Sequence, residues 1–336
     1  MRKKLKVLIT FDLPKPPRSG DDFLKDLTLE DRTAEHDVYW ALKRLGHDVK
    51  LLGIYDDMIP LVQEIQKNRP DIIFNLMEVF RNEASLEGHV IATYEILGIP
   101  YTGSGPVGVM LSKNKGIAKK ILSHHRIKTP EFQVIHRKDR VTASEGLKYP
   151  VIVKPLSEEA SYGISKKSVV DNDKDFLERV QFIHESMGQD LIAEEFVVGR
   201  ELYVSLLGRD RPKVFPPREI IFKEIPDEES KFATFKAKWD DEYRKRWGIE
   251  NRFATGLSAS ILEKIEKTCK RVFKRLYMKG YARIDLRLTP ENEVVVLEAN
   301  PNPFIAKEED FALSAKKGGM DYQDLIQAIL NEGLAG

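Results

Sequence analysis

Cysteine is almost absent from this chain. Its 336 residues include one, Cys269. No disulfide can form within it, and a reducing cytoplasm is the expected compartment. An excess of charge is missing too: 54 Lys and Arg face 53 Asp and Glu, a net +1. Nothing global draws the chain to nucleic acid or to an anionic membrane, so any anion must be held by a local site. No apolar run reaches the roughly 18 residues of a membrane span. The basic start before Val7–Phe11 resembles a leader, but its apolar run is too short and breaks at Asp12 and Pro14. The pattern Gly-x4-Gly-Lys-Ser/Thr does not occur, which excludes a P-loop ATPase. The seven histidines show no ligand spacing. His124 and His125, adjacent on a predicted helix, diverge, so zinc is not expected. There is no internal repeat and no low-complexity tract.

What is present is enough hydrophobic material for real cores, 42% of residues. The length suggests roughly two to three domains. Apolar runs at Lys6–Phe11, Val49–Gly53 and Asp71–Asn75 read as strands. Helical spacing at Thr33–Leu45, Ile59–Lys67 and Leu86–Leu97 separates or follows them. This alternation predicts a parallel sheet with helices on its faces. Residues 12–31 read as a long polar loop. Helices are then predicted at Asn114–His125 and Asp173–Met187, with strands at Phe132–Ile135, Val151–Lys154, Ser168–Val170 and Leu191–Glu195. Later strands are Glu201–Leu207, Arg218–Phe222, Tyr281–Leu288 and Glu293–Glu298. Ser260 and Glu263 read as a capping box opening a helix over Ile261–Leu276, and a last helix covers Tyr322–Leu330. Ser230–Phe253 shows no clean period. The expected organisation is α/β followed by α+β: units 1–108, 109–194 and 195–336, with a mobile loop at 230–253.

Asp285, Glu298 and Asn300 carry the clearest chemistry. Glu298 and Asn300 lie two apart on one strand and so share a face. If Tyr281–Leu288 pairs with that strand, Asp285 joins them, and Arg283 shares its face. Three oxygen donors on a sheet face suit Mg²⁺, which keeps phosphate and water ligands; the plainer reading is a salt-bridge ladder. Lys154 ends the strand Val151–Lys154 before a small-residue loop to Gly163 and could face a phosphate. Glu194-Glu195-Phe196-Val197 and Glu201 form a strand connection whose backbone and carboxylates could meet adenine and ribose. Gly103-Ser-Gly105-Pro-Val-Gly108 matches a dinucleotide-loop pattern by letters. It follows the wrong strand and contains Pro106, so a glycine-rich turn between units is the better reading. Cys269 lies on an apolar helical stripe and reads as core.

The order of these signals resembles the ATP-grasp ligases: Lys115, Lys154-Pro, Glu194…Glu201, Arg283-Ile-Asp285, Glu298-Ala-Asn300. Leu97-Gly-Ile-Pro-Tyr-Thr-Gly-Ser-Gly105, Tyr149-Pro-Val-Ile-Val-Lys-Pro155, Ala237-Lys-Trp239 and Gly319-Met-Asp-Tyr322 resemble the D-alanine–D-alanine ligase branch over nearly the whole chain. The resemblance implies an ATP-grasp fold and ligation of a carboxylate to an amine through an acyl phosphate. Lys115, Lys154 and Lys238 would hold phosphates under a loop containing Ser161 and Gly163. Glu194, Glu195, Phe196 and Val197 would meet adenine and Glu201 the ribose. Asp285, Glu298 and Asn300 would bind two Mg²⁺ ions, with Mn²⁺ as the alternative. Arg283 would stabilise an oxyanion, and Glu35 would receive a substrate ammonium. Relatives of this kind are often dimers through the N-terminal unit, which extends to this chain as an expectation.

The substrate pocket departs from the family pattern. Ala160 replaces a serine and Trp239 a tyrosine, while Met77 stands where a histidine is expected. Pro301-Asn302-Pro303-Phe304 replaces a Thr-Ser-Pro-Gly turn, with no serine before Ser314. A pocket built on hydrogen bonds discriminates sharply when those groups change. ATP activation of an amino acid or small peptide is therefore expected, with D-alanine recognition lost or rebuilt. The rival readings are an ATP-grasp kinase, an authentic D-alanine–D-alanine ligase, a nucleotide-binding regulator without turnover and, on the Gly103 loop, a nicotinamide dehydrogenase.

Overall fold

The structure is a computed structural model, and it describes residues 3–17, 23–27, 32–144, 146–157, 163–224 and 232–335. The chain begins with β1 (Lys6–Asp12), α1 (Phe23–Asp26), α2 (Thr33–Arg44), β2 (Asp48–Ile54), α3 (Ile59–Lys67) and β3 (Ile72–Leu76). The three strands form a parallel sheet in the order β2-β1-β3. Alternation explains its two cores. Val7, Ile9 and Phe11 face one cluster, which includes Val38 and Leu42 of α2. Leu8 faces another that includes Leu61 and Ile65 of α3 and Tyr94 of α4 (Glu87–Ile96). A strand covered on both faces reads as an unbroken apolar run.

Next come α5 (Pro106–Lys113), α6 (Lys115–His124), β4 (Phe132–Ile135), β5 (Val151–Pro155), β6 (Val169–Val170), α7 (Asp173–Phe182) and β7 (Leu191–Glu195). Their four strands make an antiparallel sheet, β4-β7-β5-β6, packed on α7. A larger antiparallel sheet follows. It comprises β8 (Arg200–Gly208), β9 (Lys213–Val214), β10 (Arg218–Phe222), β11 (Ile249–Phe253), β12 (Gly280–Leu288) and β13 (Val294–Pro301), ordered β11-β10-β8-β12-β13 with β9 beside β8. Helix α10 (Ala259–Arg275) covers one face through Ile265, Cys269 and Val272, so Cys269 is a core thiol. The chain continues with α11 (Asp310–Lys317) and α12 (Tyr322–Leu334).

Several expectations change. Ser258, not Ser260, caps α10: its side chain accepts the Ile261 N–H, and the helix starts at Ala259. The helix expected through Met187 leaves α geometry after Phe182 and ends as a π turn, Ile183–Met187, at left-handed Gly188. The aperiodic stretch to Phe253 contains α8 (Phe235–Trp239), α9 (Asp241–Arg246) and β11, which pairs with β10 over Ile249–Phe253. The short helices α5 and α11 were not expected, nor was α1, which lies within the stretch 12–31 expected to be loop. The line drawn at 108/109 runs through α5, and the one at 194/195 through the end of β7. Leu325, Ile326, Ile329 and Leu330 of α12 are buried in the same core as β1 and α2, so the end of the chain closes the first sheet.

Candidate active site

The two antiparallel sheets face each other across a cleft. Lys154, Glu194, Glu195, Phe196 and Val197 line one side, and Glu201, Asp285 and Glu298 the other. Lys154 and Glu298 are more than a hundred positions apart in the sequence, and the two sheets bring them together. Arg287, Leu297, Phe232 and Ala233 also line the cleft. Arg287 continues the alternation of Arg283 and Asp285 on β12, a period-two signal that could have found it.

Glu194 does more than line the cleft. It is buried, with Lys154 Nζ 3.0 Å from one oxygen and Lys119 Nζ 3.4 Å from the other. Burial pushes the Glu194 carboxyl up, but the two lysines outweigh it and hold it below its ordinary value. Burial also works against charge on Lys154, yet Glu194 and Glu298 hold its pKa above the ordinary lysine value. Lys119 is different: burial prevails over Glu194 and brings it down to about 8. Its Nζ also donates to the Leu297 carbonyl at 2.9 Å. Lys119 escaped the sequence reading. Its signal was the four-residue spacing from Lys115, which places both ammoniums on one face of α6.

At the floor, β12 and β13 pair with Arg283 opposite Asn300 and Asp285 opposite Glu298. Arg283 donates from Nε and Nη2 to the two oxygens of Asp285, at 2.7 and 2.9 Å. Lys115 Nζ stands 3.1 Å from Glu298. Among the described residues no three His, Cys, Asp or Glu converge as metal ligands. The donor set is instead two carboxylates and the Asn300 amide, whose buried Nδ2 has no partner. A half-turn of that amide offers an oxygen. Few protein ligands suit a hard cation that keeps phosphate and water oxygens, so the residues fit Mg²⁺.

Glu201, next along the cleft, accepts from Arg287 Nη2 at 2.8 Å and from the Tyr203 hydroxyl at 3.0 Å. Gly163 sits at φ +74°, and its carbonyl accepts from Arg179. Ala160 and Ser161 lie outside the described residues. Lys238 and Trp239 are the last two residues of α8, and their side chains lie outside what is described.

A second cavity opens where β1 and β3 end. Glu35, Met77, Asn302 and Phe304 all line it. Glu35 sits in the first turn of α2, buried and paired with Arg32 at 2.8 Å. Burial is the main reason its carboxyl lies above the ordinary glutamate value, and Asp12 adds to this. Asn302 also serves structure. Its Oδ1 accepts the Ser104 N–H at 2.7 Å, and a Cβ on Gly103 would lie 2.2 Å from that oxygen. The Gly103–Gly105 loop is thus a packing junction against Asn302 and Lys279, not a dinucleotide loop. Asp12, Arg32, Asn75, Glu78 and Tyr281 line the cavity as well and were missed. They sit at the carboxyl ends of parallel strands, or meet there from afar, and short-range pattern does not reveal such a meeting.

The comparisons agree with this geometry. The family described as "D-ala D-ala ligase C-terminus" matches residues 121–331. A D-alanine–D-alanine ligase of Carboxydothermus hydrogenoformans is 30% identical over 311 residues, 89% of this chain and 92% of that protein. An uncharacterised protein of Sinorhizobium fredii is 30% identical over 299 residues, covering 88% and 85%. A crystal structure of the D-alanine–D-alanine ligase of Bacillus anthracis complexed with ATP superposes with TM-score 0.76 at 20% identity, covering 99% of this chain and 98% of that one. With a parallel sheet before two antiparallel ones clasping a cleft, this chain belongs to the D-alanine–D-alanine ligase family of ATP-grasp proteins.

Proposed function

We propose that the protein joins the carboxylate of an amino acid or small peptide to an amine at the expense of ATP. The observation that carries this reading is a ladder on β12 and β13. Tyr281, Arg283 and Asp285 share one strand face, and Asn302, Asn300 and Glu298 lie beside them in turn. Tyr281 and Asn302 line the second cavity, and Asp285 and Glu298 line the cleft. Arg283 stands between an acid-binding cavity and a phosphate-binding cleft.

In the cleft, Glu194 to Val197 would face adenine, Glu201 the ribose, and Lys115, Lys154 and Lys238 the phosphates, with Ser161 and Gly163 in the covering loop. Mg²⁺, held by Asp285, Glu298 and Asn300, would offset charge on the transferring phosphoryl group. The substrate carboxylate oxygen attacks the γ-phosphorus, the bond to the β-phosphate oxygen breaks, and ADP leaves. The amine then attacks the acyl carbon. Phosphate leaves, and the nitrogen gives its proton to solvent. Arg283 would stabilise the oxygen that gains charge in that second step. The loop expected at 230–253 narrows, since Ile249–Phe253 is a sheet strand, and closure of the segment before it, which carries α8 and α9, would keep water from the acyl phosphate.

The test is ADP release with Mg²⁺–ATP and paired amino acids, with mass detection. A product lighter than its two substrates by one water supports ligation. ADP release with a single compound that gains a phosphoryl group overturns it in favour of a kinase.

A further inference from the structure

We infer that the protein carries a second small-molecule site, separate from the cleft, that takes a phosphate monoester borne on a flat ring. It lies between α7 on one wall and the pair α8–α9 on the other.

The cavity there is about 610 Å³, against about 120 Å³ for the one where β1 and β3 end. Small-molecule sites typically enclose roughly 300–1,000 Å³. Arg179 of α7 lines it and is 7% exposed. Its Nη2 donates to the Gly163 carbonyl, and its guanidinium lies 4.9 Å from the centre of the Phe182 ring. Its buried Nε has no partner. Burial pulls its pKa below the ordinary arginine value, and no acid offsets that pull. Buried charges are normally paired, and buried donors are rarely left over. An anion in the cavity would give Nε an oxygen and the guanidinium a counter-charge.

Lys236 of α8 and Arg246 of α9 line the same space, and neither forms an ion pair among the described residues. No acidic side chain lines the cavity among those residues. Three cations suit a phosphate monoester, which carries about two negative charges at neutral pH, better than a single carboxylate. The planar edge of a guanidinium also matches phosphate oxygens. The ring follows from the rest of the wall. Phe182, Tyr243 and Trp247 line the cavity, and aromatic faces and edges favour another flat ring. The Arg246 guanidinium lies 5.4 Å from the centre of the Trp247 ring, so charge and ring stand side by side, as the two parts of the ligand would. Bound there, the ligand would bridge α7 to α8 and α9.

The experiment is calorimetric titration of the full chain with phenyl phosphate and with inorganic phosphate, after the cleft is saturated with Mg²⁺ and a non-hydrolysable ATP analogue. We expect phenyl phosphate to bind about tenfold tighter than inorganic phosphate, the worth of an aromatic contact. Arg179→Met should weaken phenyl phosphate by about tenfold to a hundredfold, the worth of a charged hydrogen bond. Without ligand, its thermal midpoint should match or exceed that of the parent, because a buried unpaired charge is gone. Arg246 is exposed, so Arg246→Ala gives an answer even where Arg179→Met does not fold; it should weaken phenyl phosphate by about threefold or more. Equal affinity for the two phosphates, binding that disappears once the cleft is filled, or binding that neither variant weakens overturns the inference. None of these readouts depends on turnover, so such a result leaves the ligase reading standing.

Discussion

Lys154 and Glu194, on the adjacent strands β5 and β7, meet at 3.0 Å inside the cleft wall, and Lys119 reaches the other oxygen of the same carboxylate. One buried anion thus fixes two cations, only one of which lines the cleft. Glu194→Gln would leave two lysines buried without their counter-charge. Breaking such a group by removing one partner costs roughly 3–5 kcal/mol. Urea unfolding should show that loss, and nucleotide titration should show weaker ATP binding as Lys154 loses its anchor.

Arg283→Ala should spare ATP binding and lower turnover by about a hundredfold to a thousandfold, the usual cost of removing one oxyanion donor. Calorimetric titration with ATP and the steady-state ADP assay separate the two. Equal losses in both would mean that Arg283 mainly positions Asp285.

The pH dependence follows from Glu35. Its carboxyl is raised above the ordinary glutamate value of 4.5. The native state therefore keeps a proton that the unfolded chain releases. The share of stability due to this group is largest below 4.5, falls as pH rises through the raised native value, and is level above it. Glu35→Gln should remove that slope from stability measured against pH. In activity the sign is opposite. On the proposed reading the ionised carboxylate would receive the substrate ammonium, so kcat/KM should fall on the acid side, with a midpoint above 4.5 that is absent in the variant.

Gly103→Ala tests the junction between the sheets. Its φ is +91°, and the new Cβ would meet Asn302 Oδ1 at 2.2 Å. A side chain forced into such a conformation costs roughly 1–3 kcal/mol. Thermal unfolding should show the loss, and substrate affinity should fall with it, because Asn302 lines the second cavity.

Ser258→Ala should cost about 1 kcal/mol through the lost cap of α10. Ser260→Ala, one residue inside the helix, should stay within about 0.5 kcal/mol. The reverse order in chemical denaturation would restore the capping reading drawn from sequence.

Local period found most strands, because β1, β5 and β12 are apolar runs long enough to stand out. It also put Glu298 and Asn300 on one face, with Asp285 joining them only if the two strands pair, which they do. It failed where long-range contact decides. Asp12, Asn75 and Glu78 are ordinary polar residues at strand ends until the parallel sheet gathers them. Asn302, read as a pocket residue, is held by Ser104, 198 positions away. The stretch before Phe253 has no clean period because two short helices and an edge strand divide it.

The ladder on β12 and β13 has a mechanical consequence. Its rungs belong to two strands tied by backbone hydrogen bonds, so the interval from Tyr281 to Asp285 is set by strand rise, about 13 Å. Any movement of the four-stranded sheet would leave that interval unchanged. On the proposed reading, an acid at one end of the ladder and a phosphate at the other would be measured against one ruler.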